Sequence, residues 1–118
     1  MIELTKAEEQ VMQILWRLES AFVKDIVAEF NDPKPAYNTI STIIRILEKK
    51  KVVGFTPFGR THQYHPLVSK EAFTKQSTNK LVEKYFGGSV QNMLSYFVKE
   101  KEISAEELEQ IMNEIKKK

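Results

Sequence analysis

Three features of the sequence predict a mainly α chain with a small β wing. Apolar residues recur at helical spacing in three successive runs before residue 51. The period then changes to the alternation of two short strands around a glycine. From residue 69 onward the helical spacing returns and persists to the end. The expected architecture is a winged helix-turn-helix domain over residues 1–68, followed by a helical dimerisation region over 69–118.

The first helix starts at Thr5, which with Glu8 forms a capping box. Leu4, Ala7, Val11, Ile14, Leu15 and Leu18 carry its apolar side to about Glu19, widened by Met12 and Trp16. A second, short helix spans about Val23 to Phe30 and buries Ile26, Val27 and Phe30. Asn31-Asp32-Pro33-Lys34-Pro35 stops it, because each proline disfavours helical geometry in the residue before it.

The third helix, Ala36 to Lys51, organises the rest. Ile40, Ile43, Ile44 and Leu47 cluster on one side, and Asn38, Ser41, Thr42, Arg45 and Lys49 on the other. Glu48 falls on the flank, so the polar face has no acid at its centre. Short hydrogen-bonding groups near the helix start allow close approach to base edges, Arg and Asn make bidentate base contacts, and Lys meets phosphate. Val52 to Pro57 and Thr61 to Pro66 then read as the two strands of a wing, with Phe58-Gly59-Arg60 as its tip. A cation at that tip can reach the phosphate backbone or the minor groove.

The candidate DNA contacts are accordingly Asn38, Ser41, Thr42 and Arg45 for base edges, and Tyr37, Thr39, Lys49, Lys50, Arg60 and Thr61 for backbone positioning. Net charge is only +2, but Lys34, Arg45, Lys49, Lys50, Lys51 and Arg60 face Glu48 alone between residues 34 and 65. The positive field is therefore local to the third helix and the wing.

Other chemistries find little support. The chain has no cysteine, which excludes disulfides, thiolate metal sites and a cysteine nucleophile. His62 and His65 lie three apart on a strand and so point to opposite faces, with no third ligand nearby. No glycine-rich phosphate loop or paired carboxylates suggest an enzyme, and no metal or cofactor is expected. No signal sequence or membrane-spanning run is visible, so a cytoplasmic location is expected.

In the C-terminal half, Ser69 caps a helix over Lys70 to Phe86, Gly87-Gly88 breaks it, and Ser89 caps the next. Ser104 and Glu107 form another capping box, and the basic end Lys116-Lys117-Lys118 complements the last helix dipole. These helices span only about fifty residues, near the limit for an independent core. Their apolar residues Leu81, Tyr85, Phe86, Val90, Met93, Leu94, Phe97, Leu108, Ile111, Met112 and Ile115 are expected to pack against a second copy of the chain. A two-fold dimer presents two reading helices about 34 Å apart on one side of a duplex, suited to a palindromic operator. The competing readings are C-terminal helices that pack back on their own N-terminal half as one monomeric domain, and a winged-helix protein-interaction module without DNA binding.

Taken in order, these segments resemble the penicillinase-repressor family of bacterial winged-helix repressors. The resemblance rests on Leu4-Thr5 to Leu15-Trp16, Tyr37 to Thr42, Arg45 with Leu47 to Lys50, Gly59-Arg60-Thr61 with Tyr64, Pro66 to Ser69, and Phe86-Gly87-Gly88-Ser89. It implies a homodimeric repressor on operator DNA, controlling β-lactam resistance genes or, in one branch, copper homeostasis. The copper branch holds its metal with C-terminal cysteines, which this chain lacks. In the β-lactam branch a regulatory protease cuts between an Asn and a Phe. By resemblance that bond is Tyr96–Phe97, with Tyr96 in place of Asn. Ile46 stands where many members carry a second arginine, and Lys51 where many carry glycine.

Overall fold

The computed structural model describes residues 2–116, so Lys117 and Lys118 of the basic end lie outside the described residues. The element order is α1 (Lys6–Leu18), α2 (Val23–Ala28), α3 (Tyr37–Lys49), β1 (Val53–Phe58), β2 (Thr61–Pro66), α4 (Lys70–Phe86), α5 (Val90–Lys99) and α6 (Ala105–Lys116). The chain divides into two compact units, 1–75 and 76–118, with the division inside α4.

Local hydrogen bonds set the helix starts. Thr5 Oγ1 accepts from the Glu8 amide at 3.2 Å, and Glu8 Oε1 accepts from the Thr5 amide at 3.2 Å. Asp25 does the same for α2 by accepting from the Phe22 amide at 3.0 Å. That helix ends at Ala28, two residues before the sequence reading placed its end. The Glu29 and Phe30 amides turn back to Ile26 and Val27, tightening the last turn. Lys34 Nζ then donates to the freed carbonyls of Ala28 (3.1 Å) and Phe30 (2.6 Å). Lys34 is thus a helix cap, and its charge is committed there.

The core of the first unit joins α1, α2, α3 and the strands. Val11, Met12, Leu15, Ile26, Ile44, Leu47 and Val52 are fully buried, with Ile40, Val53 and Tyr64 close to it. Each such side chain contributes roughly 1.5–3 kcal/mol of burial, which fixes the apolar side of α3 inward. The strands pair antiparallel with Phe58 opposite Thr61, so only Gly59 and Arg60 form the turn. Gly59 has φ 58, the conformation that a two-residue hairpin turn requires at its first central position. On the far side of β2 from β1, Tyr64 exchanges both backbone hydrogen bonds with Ala21, at 2.8 and 2.9 Å. The wing is therefore stitched to the α1–α2 connection. At the unit's other edge, Trp16 Nε1 donates to Val68 O at 2.8 Å and its ring lies 5.6 Å from that of Phe73.

In the second unit, Gly87 and Gly88 end α4 with φ 59 and 82, and the Gly88 amide donates to Val82 O. Ser89 Oγ accepts from Asn92 N, and Ser104 and Glu107 form the expected capping box. Val82 is the one buried side chain among this unit's described residues. Leu81, Tyr85, Val90, Phe97, Ile111, Met112 and Ile115 are exposed, and Phe86, Met93, Leu94 and Leu108 are half-buried.

Candidate nucleic-acid interface

The polar side of α3 is two stripes, not one. Tyr37, Ser41, Arg45 and Glu48 follow each other by four, four and three residues and line a cavity of about 500 Å³. The wing contributes Arg60, Thr61, His62 and the buried Tyr64 to the same lining, and Phe22, Val23 and Lys24 at the start of α2 complete it. Asn38, Thr39, Thr42 and Lys49 are exposed and lie outside this lining. Glu48, read from sequence as a flank residue, belongs to the lining beside Arg45.

Several candidate side chains already have partners. Thr42 Oγ1 donates to Asn38 O at 2.9 Å, which leaves its lone pairs and methyl group for a ligand. Thr61 Oγ1 donates to Phe58 O at 2.9 Å and braces the wing tip. Lys50 is the one expected backbone-positioning residue drawn elsewhere: its ammonium sits 2.6 Å from Glu8 Oε1 and 2.9 Å from Glu3 O, on the α1 side. It clamps α3 to α1. Burial raises the Glu8 pKa, but the Lys50 hydrogen bond, the Thr5 amide and the Lys50 charge together outweigh it, and the net shift is downward.

Among the described residues, the groove's charges are Lys24, Arg45 and Arg60 against Glu48, and none of the four makes an ion pair. Tyr64 closes the groove's base. Burial, then the Glu48 carboxylate, push its phenol pKa up, against a smaller opposing effect of Arg45. The wing aromatics form a stack, with the His62 and Phe55 rings 4.0 Å apart and 10° from parallel. This stacking gives His62 a packing role. No group of three or more His, Cys, Asp or Glu side chains among the described residues is arranged to hold a metal ion.

Sequence reasoning missed Phe22 and Lys24. Lys24 did leave a signal: a cation in the first turn of a helix opposes the dipole, so its position needs another explanation.

A helix with a polar, cationic outer side, beside a two-stranded wing tipped with arginine, defines a winged-helix DNA-binding protein. The comparisons agree. The fold is that of the DNA-binding domain of the repressor BlaI in solution, with a TM-score of 0.52 at 24% identity over 59% of this chain and 87% of that one. The penicillinase repressor family matches residues 4–117. The chain belongs to that family, a class of transcriptional repressors and not of enzymes. It is 27% identical to the methicillin resistance regulatory protein MecI of Staphylococcus aureus (strain N315), over 98% of this chain and 95% of the relative. It is also 27% identical to the penicillinase repressor of Staphylococcus aureus, over 99% and 96%. No helix among the described residues is long and apolar enough to cross a membrane.

Proposed function

We propose that this repressor binds palindromic operator DNA as a homodimer in the cytoplasm and controls resistance-type genes, such as that for a β-lactamase. The observation that carries the reading is the joint lining of one groove by Arg45 and Ser41 of α3 and Arg60 and Thr61 of the wing. In this reading α3 enters the major groove. Asn38, Ser41, Thr42 and Arg45 meet base edges, while Tyr37, Thr39, Lys49, Arg60 and Thr61 hold sugar and phosphate. Lys50 acts behind the helix, through Glu8.

The DNA-binding domain is residues 1–68 and the dimerisation domain 69–118. The argument for a second copy as partner is the second unit's deficit of burial: among its described residues Val82 alone is buried, while Tyr85, Val90, Ile111, Met112 and Ile115 are each about half or more exposed. A two-fold pairing covers that surface and brings two readers to one site. Tyr96 and Phe97 lie within α5, at 49% and 36% exposure. A regulatory protease that cut between them would sever the helix and release the operator by dividing the dimer.

The test is the solution mass of the protein and its binding to its own upstream promoter duplex at two salt concentrations. A dimer whose affinity falls steeply with salt is expected. A monomer indifferent to the duplex would instead favour a protein-interaction module.

A further inference from the structure

A groove that receives a polyanion has no obvious use for a carboxylate, yet Glu48 lines this one, half-buried and with no ion pair among the described residues. It stands three residues after Arg45 on the same stripe of α3, and both act on the Tyr64 phenol beneath them. Among the described residues Lys24, Arg45 and Arg60 are equally without ion-pair partners, so the site is not a neutralised salt-bridge network.

We propose that Glu48 is a specificity-determining residue of the DNA interface, admitting a duplex only where a cytosine amino group meets its carboxylate. The inference rests on the operator-binding reading above. A carboxylate accepts hydrogen bonds and donates none. In the major groove, phosphate, guanine O6 and N7, and thymine O4 are all acceptors and repel it; adenine N6 donates but stands between adenine N7 and thymine O4, both acceptors, so carboxylate side chains characteristically accept from cytosine N4. Arg45 is its complement, suited to guanine O6 and N7. Three residues of helix rise about 4.5 Å, against about 3.4 Å per base step. The two side chains therefore address bases one or two steps apart, and Glu48 penalises by repulsion the sequences that turn acceptors toward it, which is how discrimination is gained beyond attraction alone.

The experiment uses the full chain and its Glu48→Gln variant, which keeps shape and removes charge. Each protein selects sites from a randomised duplex pool, and affinities are then measured for the selected duplex and a scrambled one. The variant is expected to bind the scrambled duplex about five- to tenfold tighter at low salt, with a salt slope steeper by up to about one. It is also expected to lose about tenfold discrimination at one cytosine, while the guanine preference attributed to Arg45 stays. Identical selected sequences and equal scrambled-duplex affinity for the two proteins would overturn the inference alone. So would a uniform weakening on all duplexes, the signature of a merely structural role. Failure of the wild-type chain to enrich any sequence would overturn the operator reading itself.

Discussion

Removing the Lys50 ammonium strands the carboxylate of Glu8, whose side chain is 7% exposed against 36% for Lys50. In Lys50→Met, Glu8 keeps the Thr5 amide but loses a contact at 2.6 Å. Breaking a fully buried pair from one side costs about 3–5 kcal/mol. Because the ammonium is partly solvated, the expected cost is nearer about 2–3 kcal/mol after allowance for screening. For a unit of this size that lowers the melting temperature by roughly 10–20 °C. The reverse change, Glu8→Gln, keeps the capping box and leaves the more exposed partner to water, so it should cost only about 1 kcal/mol. Trp16, the only tryptophan, reports on unfolding of the first unit. The pH dependence has a definite sign. The folded-state pKa of Glu8 is lowered, so its contribution is present above the unfolded value and lost as pH falls through the folded one. The deficit of Lys50→Met should therefore be largest near neutrality and shrink in acid. Urea melts at about pH 7 and about pH 3 give both numbers. A deficit below about 0.5 kcal/mol, a larger loss for Glu8→Gln, or a deficit that does not change in acid would show that the pair is not a buried clamp.

Four further substitutions have outcomes set by the geometry. Arg45→Ala should cost about 1–3 kcal/mol of operator affinity and relax preference at one base, whereas Arg60→Ala should weaken all duplexes alike and reduce the salt slope by about 1; titrations at several salt concentrations separate the two. Lys51 holds φ 64, the left-handed region that disfavours side chains, so Lys51→Gly should stabilise the first unit by about 0.5–1 kcal/mol in denaturant melts. Phe97→Asp puts a charge on the apolar stripe of α5, and sedimentation should show a monomer whose operator affinity has fallen by about 10²-fold or more.

What was legible in the sequence was chiefly what is decided within a turn or two of chain. Thr5 with Glu8, Ser69, Ser89, and Ser104 with Glu107 all act at the positions read for them, because a cap needs only a side chain and an amide three residues away. The wing followed from alternation and from Gly59. What escaped depended on distant chain. The wing folds back along one particular stripe of α3, and that return moves Glu48 from the flank into the groove. Lys34 and Lys50 look like free cations until the carbonyls of α2 and the carboxylate of α1 are in place. No local pattern brings Phe22 beneath the wing, where its ring meets that of Phe58 at 5.6 Å.

The pair of backbone hydrogen bonds between Ala21 and Tyr64 bears on the thermodynamics of recognition. A hairpin tethered only by its own turn would have to be immobilised at the moment of contact, and each ordered segment subtracts from affinity. Here the conformational entropy of β2 is surrendered during folding. Whatever Arg60 gains from a phosphate is then offset by the ordering of its own side chain and not by that of the strand behind it. Substitutions that loosen the Ala21 strand edge should appear as a weaker grip on DNA of every sequence, although that edge carries none of the groove's charges.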